Sequence, residues 1–298
     1  SDLRGGSNKA NYLIIAPTEF VESVGDLADY QEGRGYRPKV VELEDIMDEF
    51  NHGIYSPLAI QEFLSFAYGN WSTKPEYVVL AGNGTYDHRN ILGNNDNLVP
   101  PLMISTSDGL FASDMRFVDI KGNDGVPEIA IGRLSATTVE ELKVLINKIK
   151  AYEGSGSSAW AKSVMILADN TDGGGEFSFD SNGIANIIPG NYSKNLIYLS
   201  DFSLEEARQR VFDGWNNGAL MINYLGHSAI DRFAQEGLLV TDDVLFLNNG
   251  DKLPVVTAMT CIVGRHTLPG YNSLSESLVL RAGGGAVAVW SPTGLSYN

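Results

Sequence analysis

The chemistry-bearing residues that stand out in this 298-residue chain are its one cysteine and one of its four histidines. Each lies just past an apolar run. Leu220–Leu225 (LMINYL) is followed by Gly226-His227-Ser228, and Val255–Thr260 (VVTAMT) by Cys261-Ile262-Val263-Gly264. Short apolar runs of this kind read as buried strands, and sites in open parallel sheets form at the carboxyl ends of strands. As parallel neighbours joined by one crossover, these strands would bring His227 and Cys261 to one sheet edge. Their separation leaves room for a turn, a helix and a strand. An imidazolium beside a thiol favours the thiolate, and the imidazole can later protonate a leaving amine. Gly226 lets the chain turn sharply off its strand, and Gly264 gives backbone room past the thiol. A free cysteine is usually a small buried hydrophobe; placement of both residues at strand ends is what favours catalysis.

The elements that must hold them alternate strand and helix. In the first half, strands are expected at Tyr12–Ala16, Pro38–Leu43, Tyr77–Ala81 and Glu128–Ile131. Helices are expected from Pro17 to about Glu32, from Pro57 (after a Ser56 N-cap) to about Trp71, and from Thr138 to Tyr152. Gly82 to Val126 is rich in Gly, Asn and Asp and reads as a long loop of the kind that is functional or mobile. Gly154–Ser158 (GSGSS) reads as a linker, dividing the chain into 1–153 and 154–298. The second half predicts strands at Val164–Ala168, Leu196–Leu199, Ala219–Leu225, Val255–Thr260 and Ala286–Trp290. Its helices fall near Asn182–Ile188, Leu204–Asn216, Asp242–Leu247 and Ser273–Arg281. The expected architecture is two α/β subdomains in series, each a parallel sheet with right-handed crossovers.

Charge narrows the function. Twenty-one Lys and Arg face 37 Asp and Glu, a net charge of −16 that repels phosphate backbones and anionic lipid. One thiol excludes an intrachain disulfide framework and multi-cysteine zinc sites. No apolar run reaches the roughly 18 residues of a membrane span, and the first residues carry no apolar signal-peptide core. Gly82-Asn83-Gly84 lacks the glycine spacing of a dinucleotide turn, and neither a Walker sequence nor His-Glu-x-x-His occurs. His52, His88 and His266 have no partner at metal spacing; His266 could compete as a partner of Cys261, but falls in a polar loop.

Asn223–Ser228 (NYLGHS) followed by Thr260–Gly264 (TCIVG) resembles the gingipain-like cysteine peptidases, a family of caspase-like fold. Tyr12–Phe20, Pro75–Asn90, Pro127–Leu134, Lys148–Glu153, Ser273–Leu278 and Gly283–Thr293 resemble further pieces of that family in the same order, so the likeness covers nearly the whole chain. It implies a caspase-like three-layer αβα sandwich, a structural first subdomain and a catalytic second one. It implies Cys261 as nucleophile, His227 as general acid, and an oxyanion hole from the backbone N–H groups of Cys261 and Ser228. The family pattern is Gly-His-Gly; here Ser228 replaces the second glycine, keeping the N–H and adding a side chain. The family also places an acidic residue after the first strand of the second subdomain to orient the histidine. Asp169 is the first choice and Asp172 the alternative. Phe177 falls where Arg-selective members carry the acid of their primary pocket, with Glu176 and Asp180 nearby, and Tyr297 falls on that pocket's wall.

The function this implies is a secreted or cell-surface cysteine endopeptidase that works through a thioester and needs no cofactor for chemistry. Its partners are protein or peptide substrates. Alternatives are a sortase-type transpeptidase and a catalytically inactive caspase-like binding module. The family implies structural calcium, for which the Asp/Asn/Gly-rich loops Asp169–Asp180 and Asn83–Asp96 offer hard oxygen ligands. The family normally continues past the point matched by Asn298, so the second subdomain is expected to lack its last strand and helix. A C-terminal fragment or adjoining domain of the same precursor would then be a partner.

Overall fold

Tyr12–Ala16 (β1) is apolar on both faces because it lies inside a parallel sheet. The computed structural model describes residues 2–122, 124–155 and 158–296. They fall into two units, Ser1–Ile146 with His266–Gly270, and Asn147–Arg265 with Tyr271–Asn298. This division lies inside a helix rather than at the expected linker, of which residues 156 and 157 lie outside the described residues.

In the first unit, β1 is followed by α1 (Val21–Gly33), β2 (Pro38–Glu42), α2 (Leu43–Asn51), α3 (Pro57–Asn70) and β3 (Tyr77–Ala81). A hairpin of β4 (Met103–Thr106) and β5 (Gly109–Ala112) interrupts the long loop before β6 (Ala130–Leu134), and α4 (Val139–Gly154) then begins in the first unit and ends in the second. The sheet runs β2-β1-β3-β6, all parallel. Leu13 and Ile15 pack into one core with Ile46, Met47 and Phe50 of α2 and Ile60, Phe63 and Leu64 of α3. Ile14 and Ala16, on the other face by alternation, are also fully buried. The Ser56 hydroxyl accepts the Leu58 N–H at 3.3 Å, capping α3 as Ser-Pro predicts.

The second unit contains β7 (Ser163–Ala168), α5 (Phe177–Ile187), β8 (Ser193–Tyr198), α6 (Leu204–Asn217) and β9 (Met221–Leu225). Short strands β10 (Ser228–Ala229), β11 (Arg232–Phe233) and β12 (Leu239–Val240) form an antiparallel meander. Then come β13 (Val255–Met259), α7 (Leu274–Leu280) and β14 (Ala288–Trp290). The parallel sheet runs β14-β13-β9-β7-β8. One face packs Leu167, Ile222, Tyr224 and Val256 against Val211 and Trp215 of α6 and Leu274 and Leu278 of α7. The other packs Val164, Ile166 and Ala168 against Phe177 and Ala185 of α5. Helices thus cover both faces, giving three layers.

Helix α7 ends on an unusual stopper. The Lys148 ammonium donates to the carbonyls of Leu278 (3.3 Å), Val279 (2.6 Å) and Ala286 (3.2 Å), matching its three hydrogens to three acceptors. Burial, and then the nearby Arg281, push the Lys148 pKa down to about 7.

Candidate active site

Three strands of the second unit end together. Ala168 pairs with Leu225, and Leu225 with Met259, so Asp169, Gly226 and Thr260 leave β7, β9 and β13 at one edge. His227 and Cys261 each stand two residues past the paired Leu225 and Met259, on strands about 4.8 Å apart. After β7 the chain goes to one side (β8) and then crosses to the other (β9). The carboxyl ends of β7 and β9 therefore flank a reversal of strand order, where a crevice opens in such sheets.

The backbone of His227 is held by two buried side chains. Its N–H donates to Asp169 Oδ2 at 2.9 Å, and its carbonyl accepts the Tyr224 hydroxyl. That hydroxyl also accepts the Ala234 N–H at 2.8 Å and lies 3.4 Å from Asp169 Oδ2. The Tyr224 ring stacks on Phe233 at 4.2 Å. Burial, followed by the charge of Asp169, pushes the phenol well above its ordinary range, so it stays a donor. Burial also pushes the Asp169 carboxyl up, against the N–H groups of His227 and Asn170 that favour its charged form. Gly226 is the hinge: its φ is 155°, and a Cβ there would stand 2.3 Å from the Asp169 Cβ.

The imidazole has different neighbours. Its Nε2 lies 3.1 Å from Asp172 Oδ2 and 3.3 Å from Oδ1. The Gly174 N–H, at 2.7 Å, and the His227 ring hold the Asp172 carboxyl below the usual range. Phe177, only 3% exposed, meets the imidazole edge-on at 5.3 Å. Gly174 closes the ring in: a Cβ there would lie 2.7 Å from both Cε1 and Nε2.

Cys261 is half-buried, and its thiol donates to the Ser296 carbonyl at 3.5 Å. Its own carbonyl accepts the Val263 N–H across a three-residue turn. The central residue, Ile262, has φ 27°, a strained conformation for a β-branched side chain. Ile262 N–H to Gly294 O and Gly264 N–H to Pro292 O, both 2.9 Å, tie this loop to the segment after β14. The Ser228 hydroxyl donates to the Cys261 carbonyl, joining the histidine and cysteine loops.

Of the residues singled out in the sequence, His227, Cys261, Ser228, Asp169, Asp172 and Phe177 therefore gather at one sheet edge. Asp169 faces the His227 backbone, and Asp172, the alternative, faces the ring. Phe177 lies in the core against the imidazole. Tyr297 lies outside the described residues. His266 belongs to the other unit. The carboxylates of the two candidate calcium loops turn largely to backbone N–H groups: Asp87 to Ile91 and Leu92, Asp96 to Gly270, Asp169 to His227. Among the described residues, no three His, Cys, Asp or Glu side chains converge as a metal site. Nor is any helix among them long and apolar enough to cross a membrane. Tyr224 also serves the site, although within an apolar strand its sequence position reads only as core.

A family model described as Peptidase family C25 matches residues 6–298. Gingipain R2 of Porphyromonas gingivalis strain W83 is 26% identical over 259 residues, 85% of this chain and 32% of the relative. Gingipain R1 of Porphyromonas gingivalis is also 26% identical over 85% of this chain, and 24% of its own length is covered. The chain thus spans about a third or less of these relatives. The crystal structure of the Arg specific cysteine proteinase gingipain R superposes with a TM-score of 0.78 at 24% identity, over 98% of this chain and 64% of that one. The complex of the Porphyromonas gingivalis RgpB pro- and mature domains gives 0.79 at 24% identity, over 96% and 64%. The fold is the expected caspase-like α/β arrangement.

Proposed function

The chain belongs to peptidase family C25, and from that premise we propose that it is a cysteine endopeptidase acting through Cys261 and His227. The observation that carries this reading is the register that ends β9 and β13 together, two residues short of His227 and Cys261. The Cys261 thiolate attacks the scissile carbonyl, and the N–H groups of Cys261 and Ser228 stabilise the oxyanion. His227 gives its proton to the leaving amine, and water then hydrolyses the thioester. Asp172, on Nε2, stabilises the imidazolium, leaving Nδ1 for proton transfer. Asp169 holds the His227 backbone. Substrates are proteins or peptides, met outside the cell or at its surface, and an adjoining domain of the same precursor is a partner.

Peptide-library cleavage with a Cys261→Ala control tests this. Cleavage by the wild type that is abolished in the variant supports it. Amine-linked products with little hydrolysis would assign a transpeptidase instead. No cleavage, together with no labelling of Cys261 by a peptidyl acyloxymethyl ketone, would assign an inactive binding module.

A further inference from the structure

Ser228 contributes more to this site than a backbone N–H. Its backbone is anchored from outside the cysteine loop, because β10 pairs Ser228 with Phe233 of β11. From that anchor its hydroxyl donates to the Cys261 carbonyl. The same carbonyl accepts the Val263 N–H, so two donors occupy its lone pairs. The turn it closes is the strained one, centred on Ile262 at φ 27°. A turn in a sparsely populated conformation persists only while its surroundings hold it.

We propose that the Ser228 side chain is a positioning residue for Cys261: it pins the Cys261–Ile262 peptide plane and thereby holds the thiol in its reactive orientation. This inference rests on the peptidase reading, and deepens it by giving the Ser228 hydroxyl a role that a glycine could not fill.

The test compares the wild type with Ser228→Ala, Ser228→Gly and Ser228→Thr. The rate constant for alkylation of Cys261 by iodoacetamide is measured from about pH 5 to 10, with an unfolding midpoint for each variant. A thiol released from this turn changes its access and its distance from the His227 ring, so S228A and S228G are expected to react on the order of 10-fold slower at unchanged midpoints. S228T, which keeps the hydroxyl, should stay within about 2-fold of wild type. Wild-type rates in S228A and S228G overturn the proposal. So does a loss in S228T equal to theirs, and so does failure of both S228A and S228G to fold, which would assign Ser228 to the fold alone. Any thiol reacts at alkaline pH, so the ratio to wild type remains measurable even if the wild-type profile is that of an ordinary cysteine. That profile would count against the peptidase reading without deciding the role of Ser228.

Discussion

Replacing Gly174 by alanine adds one methyl group against the imidazole and, at 3.2 Å, against Asp172 Oδ1. The backbone there is outside the left-handed region, so alanine brings no φ penalty. Its Cβ would lie 2.7 Å from His227 Cε1 and Nε2, whereas ordinary contact begins at 3.4 Å. The ring must therefore retreat by about 0.7 Å, and Phe177, edge-on at 5.3 Å, closes one way out. The same methyl group crowds Asp172 Oδ1, so the contact of Nε2 with Asp172 is disturbed as well. A displacement of this size should lower kcat/KM on the order of 10–100-fold, a barrier increase of about 1.4–2.7 kcal/mol. Stability should hardly change, because the His227 side chain is 49% exposed and can swing toward water; a change within about 1 kcal/mol is expected. Steady-state kinetics on a peptide drawn from the wild-type cleavage profile, with denaturant unfolding of both proteins, measures both quantities. Activity within twofold of wild type would refute the idea that this ring position matters. A stability loss as large as the barrier increase would show that the methyl group disturbs the loop and not the ring.

Two further outcomes follow from the clamp on His227. Tyr224→Phe removes the hydroxyl that bonds the Ala234 N–H and the His227 carbonyl, which keep their own bond to each other at 2.9 Å, so it should cost about 0.5–1.5 kcal/mol in urea unfolding. It should also lower kcat more than it changes KM; unchanged stability would refute the clamp. Asp169→Asn keeps an acceptor for the His227 N–H while removing a buried charge. With its carboxyl pushed above its ordinary 3.8, native Asp169 holds a proton in a range where the unfolded chain has released it. Its contribution to stability therefore falls as pH rises from about 3.8 through the native value. Wild-type stability relative to D169N should decline over that window, and a difference independent of pH would sink this account.

The sequence is most legible where one physical requirement dominates. Strands β1, β3, β7, β9 and β13 are apolar runs because both faces of their sheets are covered, and each falls where expected within a residue or two. Helix α2 is hidden in the sequence although Leu43, Ile46, Met47 and Phe50 carry its spacing, because Leu43 directly continues the β2 run. Strands β10, β11 and β12 have two residues each, too few for any period. Helix α5 begins at Phe177 and not near Asn182, since Gly173, Gly174 and Gly175 mask its start. The choice between Asp169 and Asp172 depended on loop path. Both are acids beyond β7, and only the fold turns one toward the backbone of His227 and the other toward its ring. Tyr224 shows the limit of periodicity: a strand pattern says that its ring is buried, and nothing of where its hydroxyl goes.

The Lys148 stopper bears on where this protein can be cut. A fragment beginning at Gly154, where composition marks a linker, would contain all of α7 and none of the cation that closes it. The carbonyls of Leu278, Val279 and Ala286 would lose their shared donor, leaving the Ala286 N–H to Leu278 bond and the Asn249 and Trp215 bonds to Gly285 to hold the segment between α7 and β14. A fragment that begins ahead of α4 carries its own closure. The half of the chain that holds His227 and Cys261 thus owns the last turns of a helix that punctuation assigns to the preceding half. Any separately expressed version of it should start upstream of residue 147.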